Sequence, residues 1–282
     1  MLSRRMKEFL FKVLTATATG IVVIVLVAII GTIVYKGGKS VNWAMLTQIP
    51  KGDYYTGGSG GLANAILGSI YLGLGATFLA FLISMPTALY LRTYAHRSRF
   101  AAIVRGLLDV LWGVPSIVFG AFGFTLMVYM GLRASLLAGI ITVALFELPI
   151  MTRAIDVVMR MVPRELDEVS YALGATKSET AFRAVARQAL PGIVTGVLLA
   201  FGRGIGDAAS VLFTAGFTDN LPHSLTQPAA TLPLAIFFQF GTPFVELQNR
   251  AYGAALILIG IVLITSILSR VLSARLSRYV VK

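Results

Sequence analysis

Two charges stand in a stretch that is otherwise apolar. In "LAFGRGIGDAAS", Arg203 and Asp207 are four residues apart. On a helix that spacing puts both on one face. An isolated arginine at mid-bilayer costs about 2.5–3.5 kcal/mol on insertion scales, and Asp207 would reduce that cost. Two readings follow. Either the pair is an internal salt bridge that locks helix packing, or Arg203 meets a passing oxyanion. The guanidinium fork suits the second role because it offers two donors to two oxygens. Asp207 would then be the resting partner that stops Arg203 from holding the anion too tightly, since conduction requires release. Gly202 and Gly206 form a small-xxx-small ridge beside the pair, where a neighbouring helix can approach closely.

A second group lies in "ELPIMTRAIDVVMRMVP", residues 147–163. Arg153 is either an anchor that snorkels to the interface or a second oxyanion contact. Pro149 can free local backbone groups. Glu147 is six residues from Arg153, too far for a helical pair, and a pairing with Arg203 on the next helix is left open. Asp109 is expected near the cytoplasmic interface, paired with Arg105 at i, i+4. No nucleophile, base and metal ligands converge anywhere in the chain, so neither a catalytic residue nor a metal site is expected. The 282 residues include no cysteine and two separated histidines, His96 and His223, each expected in a solvated loop.

The elements that would position these groups follow from composition. Hydrophobic residues make up 57% of the chain and charged residues 13%, which is too little charge for a soluble domain of this length. A membrane helix needs about 20 mostly apolar residues. Runs of that kind occupy about 13–35, 62–91, 102–130, 134–151, 193–215 and 252–272, giving six spans in one all-α domain. The first is too long for a signal-peptide core and lacks a cleavage pattern, so it is read as an uncleaved span. The third contains Asp109 and Pro115 and is expected to be tilted or kinked.

Basic residues alternate in density along these runs. Arg4, Arg5, Lys7 and Lys12 precede the first span, and Arg92, Arg97, Arg99 and Arg105 follow the second. Arg153, Arg160, Arg164, Lys177, Arg183 and Arg187 follow the fourth, and Arg270, Arg275, Arg278 and Lys282 close the chain. The intervening segments hold only Lys36, Lys39, Lys51, Arg133 and Arg250. The positive-inside rule then places both termini in the cytoplasm of a multi-pass plasma (inner) membrane protein. The formal charge of +12 reads as topology and contact with anionic lipid rather than as a nucleic-acid surface. Of the outer segments, "YYTGGSGG" lacks the Gly-Lys-Ser/Thr of a phosphate loop and reads as a tether. "TLPLAIFFQFG" is too short to span; it either caps the bundle or lies on the surface as a docking helix.

Between the fourth and fifth spans lies a cytoplasmic loop, 153–192, that contains "EVSYALGATKSETAFRAVARQALPG". Glu165, Asp167 and Glu168 suit a helix's first turn. Leu166, Val169 and Leu173 recur at helical spacing. Gly174 stops the helix, and Thr176-Lys-Ser-Glu179 is a capping box that starts another, expected to run to about Ala189. The apolar side of this hairpin must pack on the protein's own helix ends or on a separate soluble partner.

Glu168-Val-Ser-x-x-x-Gly174 resembles the EAA motif of ABC-importer permeases, with Val169 and Ser170 where that pattern has two alanines. The likeness extends through "GGLANAILGSIYLGLGATFLAFLISMPTALYLRTYA", "LLDVLWGVPSIVFGAFGF", "LPIMTRAIDVVMRMVP", "ALPGIVTGVLLAFGRGIGDAASVLFTAG" and "YGAALILIGIVLI", most of residues 60–270. These stretches look like the phosphate-importer permeases, A-type subunit. The resemblance implies a type I ABC importer permease fold with six transmembrane helices and a coupling-helix hairpin. It implies that Glu168, Val169, Ser170, Leu173, Gly174 and Ala175 contact a cytoplasmic ATPase. It also implies an arginine at Arg153 and an acid, commonly glutamate, at the Asp207 place. The implied partners are a second homologous permease, two ATP-binding cassette subunits that carry the ATP and magnesium, and an extracytoplasmic phosphate-binding protein. This chain itself would bind no cofactor. Permeases for molybdate, tungstate or sulfate share the broad architecture, and a stand-alone secondary transporter is the competing class. The latter often shows two repeated halves, and none is visible here.

Overall fold

The computed structural model describes residues 4–277 except 53, 57, 58, 96 and 97. His96, Arg97, Gly57, Gly58, Arg278 and Lys282 therefore lie outside the described residues. In chain order the helices are α1 (Arg4–Ser40), α2 (Trp43–Thr47), α3 (Ala63–Thr93), α4 (Arg99–Trp112), α5 (Ser116–Tyr129) and α6 (Leu136–Arg160). They continue with α7 (Glu165–Ala172), α8 (Lys177–Ile205), α9 (Leu232–Phe240) and α10 (Val245–Leu276). The described residues contain no β-strand. Five helices, α1, α3, α6, α8 and α10, are long and apolar enough to cross a membrane, and α4 with α5 makes a sixth run.

The centre is a three-helix junction of α3, α6 and α8. Along α3, Leu72, Ala76, Ala80, Ser84 and Ala88 recur every four residues and are all buried. Such a stripe of small residues lets backbones approach closely. Val143, Met151 and Ile155 of α6 and Ala189, Ile193 and Ala200 of α8 complete the cluster. Ser84 and Thr152 satisfy each other inside it, with Thr152 Oγ1 donating to Ser84 Oγ at 2.9 Å. The outside is apolar as well: Ile24 and Val27 of α1 and Ile264 and Ile267 of α10 are exposed. An exterior of this kind suits hydrocarbon, where only intra-helical hydrogen bonding satisfies the backbone.

The first and last helices, α1 and α10, extend beyond the apolar runs at 13–35 and 252–272, and three further boundaries differ from the sequence reading. The run at 102–130 is kinked rather than tilted, with α4 and α5 bent by 102° at the break before Ser116. Pro115 supplies the N-terminal cap position of α5, and Gly113 that of the α4 C-terminus; a residue preceding proline avoids the α region. The helix of the fourth apolar run, α6, continues to Arg160, so Arg153 lies on a helix and not in a loop. The second hairpin helix does not stop at Ala189. It passes Thr180–Val185 as a π turn, carries Pro191 inside, and ends at Ile205. The end falls ten residues before the expected one because Gly202, Gly204 and Gly206 crowd the last turn, where glycine disfavours helix.

Candidate anion path and coupling site

Arg203 sits in the last turn of α8, exposed, with its guanidinium 5.0 Å from the Phe146 ring of α6. A cation over an aromatic face is attracted by the ring quadrupole. Asp207 does not share its helix face, because the helix has already ended. Instead Asp207 Oδ2 accepts from the Ser210 backbone N–H at 2.8 Å and caps the turn that follows. Among the described residues no ion pair joins Arg203 to Asp207. The Gly202–Gly206 ridge does not receive a neighbouring helix: Gly202 faces open space, and Gly206 nears only its own backbone. A cleft of about 790 Å³ opens there, lined by Gly206, Ala208, Pro233, Phe237 and Leu258 among others.

Glu147, next to Phe146, is fully buried. Thr77 Oγ1 of α3 donates to its Oε2 at 3.0 Å, and its Oε1 has no hydrogen-bond partner. That oxygen lies against Gly204, where any β-carbon would overlap it. The open pairing of Glu147 with Arg203 is thus resolved: the carboxylate faces the α8 backbone one residue from Arg203 and makes no ion pair with it.

Arg153 is held by two carboxylates. Its Nε lies 2.8 Å from Asp109 Oδ1 on α4, and its Nη1 lies 3.3 Å from Asp156 Oδ2 on its own helix. Asp109 therefore pairs with Arg153 and not, as expected, with Arg105. The spacing rule presumes that the two side chains seek each other, but α4 turns both toward α6. There Arg105 finds the fully buried Asp156 and bonds both its oxygens, at 2.9 and 3.0 Å.

The hairpin beyond α6 presents a different surface. α7 ends at Leu173 and Gly174, whose φ of +82° is left-handed, the conformation glycine adopts without penalty. The Thr176 capping box forms in full: Thr176 accepts from the Glu179 N–H, and the Glu179 carboxylate accepts from the Thr176 N–H. Ser170 and Thr180 hydroxyls meet at 2.9 Å and tie the two arms. Leu166 packs against the core, while Val169 and Leu173 remain 57% and 83% exposed. Glu168 is exposed as well, and Ser170 and Ala175 are half-buried. Of the two packing options for this apolar side, the chain itself covers only Leu166.

One residue here was invisible to sequence reasoning. Arg92 ends α3 and reads there as one more interfacial cation. In the structure it is 7% exposed and bonds three acceptors. A buried arginine needs such partners, but their identity is set by tertiary packing alone.

The comparisons with known proteins agree on one class. The model of the family "Binding-protein-dependent transport system inner membrane component" matches residues 80–278. The phosphate transport system permease protein PstA of Yersinia pestis is 36% identical over 250 residues, covering 89% of this chain and 84% of that protein. Its counterpart in Haemophilus influenzae is 35% identical over 240 residues, covering 81% and 85%. PstA 1 of Mycobacterium tuberculosis is 34% identical over 264 residues, covering 93% and 86%. A chain of the inward-facing MetNI methionine ABC transporter, in its native CY5 crystal form, superposes with a TM-score of 0.63 at 16% identity. That match covers 76% of this chain and 95% of the other, and it speaks for the fold.

Proposed function

Since this chain belongs to the binding-protein-dependent transport system inner membrane components, we propose that it is the permease subunit through which an ATP-driven importer passes inorganic phosphate. The observation that carries the substrate is identity of 33–36% to phosphate permeases across more than four-fifths of the chain. The chain is a multi-pass membrane component with no catalytic role of its own. ATP and magnesium belong to two cytoplasmic ATPase subunits. A second, homologous permease completes the path, and an extracytoplasmic phosphate-binding protein delivers to it. Both termini face the cytoplasm, consistent with where the basic residues cluster.

Within this reading Arg203 is the anion contact. Its guanidinium is exposed and tethered only by a ring face. Phosphate can take it without first breaking an ion pair. Arg153 is the secondary contact, and an anion would have to displace Asp109, the more exposed of its two carboxylates. Asp207 shapes the turn beyond Arg203, and Glu147 fills the junction behind it. Glu168, Val169, Ser170, Leu173, Gly174 and Ala175 form the ATPase contact. The exposed apolar face of α7 supports this role, since an amphipathic helix of this kind suits a groove on a partner. The coupled movement would carry α7 and the start of α8 as a lever and so shift the α3–α6–α8 junction.

The test is genetic. Cells that lack this chain but keep the other subunits should lose phosphate uptake at limiting phosphate and regain it when the chain is supplied. Unchanged uptake in the deletion would overturn the proposal.

A further inference from the structure

We infer that Arg92 is the joint between the coupling helix and the transmembrane bundle, and that Asp167 is its handle on α7. This inference rests on α7 being the ATPase contact. The guanidinium of Arg92 bonds three separate acceptors. Nη1 donates to Asp167 Oδ2 of α7 at 2.9 Å. Nε donates to Met159 O at 3.1 Å and Nη2 to Val162 O at 3.4 Å, both at the C-terminal end of α6. Met159 O also takes the Val162 N–H at 3.3 Å in the turn that closes α6, and Val162 lies two residues beyond the helix. Carbonyls at a helix end have room for a further donor, and a cation there complements the helix dipole. A single side chain therefore holds the end of α3, the end of α6 and the coupling helix at fixed spacing.

The arrangement is rigid. Arg92 and Asp167 side chains are 9% and 17% exposed. The other Asp167 oxygen, Oδ1, is buried with no partner, so loss of the Arg92 bond leaves that carboxylate with no other hydrogen bond. Arg92 meets its acceptors from three separate nitrogens of a planar fork, a spread that the single nitrogen of a lysine does not match.

The joint also leads further. Arg105 Nη2 donates to the carbonyl of Leu91, the residue before Arg92, at 3.1 Å. The same Arg105 holds Asp156, which also takes Arg153. Two sets of polar contacts, Asp167–Arg92 and Leu91–Arg105–Asp156–Arg153, are thus joined through the Leu91–Arg92 peptide bond. Displacing α7 moves Arg92, and with it the end of α3 on which Arg105 rests. Arg92 and Asp167 are positioning residues: they touch neither substrate nor nucleotide.

The test uses the whole complex in lipid vesicles, with inorganic phosphate as substrate. Three quantities are measured: ATPase retained with the permeases, ATP hydrolysed, and phosphate taken up. Asp167→Asn keeps the shape of the side chain and removes its charge. It should retain the ATPase while raising ATP used per phosphate by about fivefold or more, the lower end of typical inter-site couplings. Asp167→Glu should restore the ratio toward wild type, and Arg92→Lys should raise it. A wild-type ratio in Asp167→Asn would overturn the inference. So would loss of assembly in both Asp167 variants, which would make the contact purely structural. Leu173→Asp tests the underlying reading separately. If that variant keeps its ATPase and its uptake, the docking role of α7 falls whatever Asp167 does.

Discussion

Arg153 of α6 and Asp109 of α4 meet at 2.8 Å across 44 residues of sequence. The contact pins the amphipathic α4 against α6 below the 102° bend that separates α4 from α5. Beside it, fully buried Asp156 serves two arginines, Arg105 and Arg153. The two acids differ in exposure, and that difference sets what each contributes.

Asp156→Ala should destabilise the protein strongly. It removes the carboxylate that Arg105 bonds through both oxygens and the more distant of Arg153's two, and breaking a buried pair on one side costs about 3–5 kcal/mol. Asp109 has a side chain 49% exposed, so Asp109→Ala should cost under about 1 kcal/mol. Thermal unfolding of the purified chain in detergent compares the two. Equal losses would contradict this division of labour.

Gly204→Ala should disturb the junction. Its new methyl would overlap Glu147 Oε1, and overpacking a tight core costs about 1–3 kcal/mol. Adding Glu147→Ala removes the clashing carboxylate, so the double variant should recover part of the loss. A double-mutant cycle with no coupling between the two positions would show that α6 and α8 do not meet there.

Arg203→Ala should abolish phosphate uptake and leave assembly intact, since no ion pair depends on this side chain. Arg203→Lys keeps the charge and loses the fork, so it should retain partial uptake. Co-purification of the other subunits together with vesicle uptake checks both. Loss of assembly in Arg203→Ala would make the residue a packing element.

What the sequence carries legibly is local. The apolar runs, the glycine stop at Gly174 and the Thr176–Glu179 box each depend on residues within a few positions of one another. The family resemblance adds the coupling role to that hairpin. The polar contacts are not local: Arg105–Asp156 spans 51 residues and Arg92–Asp167 spans 75. They depend on how each helix is rotated about its axis and how far it runs, which hydropathy does not specify. The helix face expected to be shared by Arg203 and Asp207 is absent for the same reason. A spacing of four places two side chains together only if the helix continues, and here three glycines end it at Ile205. Pro115 flagged a break, but tertiary packing set its angle.

The contact between Tyr55 and Asp219 should respond to alkali. Tyr55 donates its hydroxyl proton to Asp219, and burial, then that bond, pushes its pKa well above the usual tyrosine value of 10.0. The folded state favours the protonated phenol. The stabilisation is therefore complete below pH 10 and is lost as pH rises beyond it. Protease sensitivity around Lys51–Ser59 should increase above pH 10 in wild type. Tyr55→Phe should be sensitive already at neutral pH and change less on raising it. Identical profiles would contradict a role for this bond.

The most direct measurement is transport itself. Vesicles containing this chain, its partner permease, the ATPase and a phosphate-loaded binding protein should accumulate phosphate only when ATP is supplied, and should cease to do so when this chain carries Arg203→Ala in an intact complex. Accumulation of molybdate, tungstate or sulfate in place of phosphate would contradict the substrate, and phosphate accumulation without ATP or without the ATPase would contradict the importer.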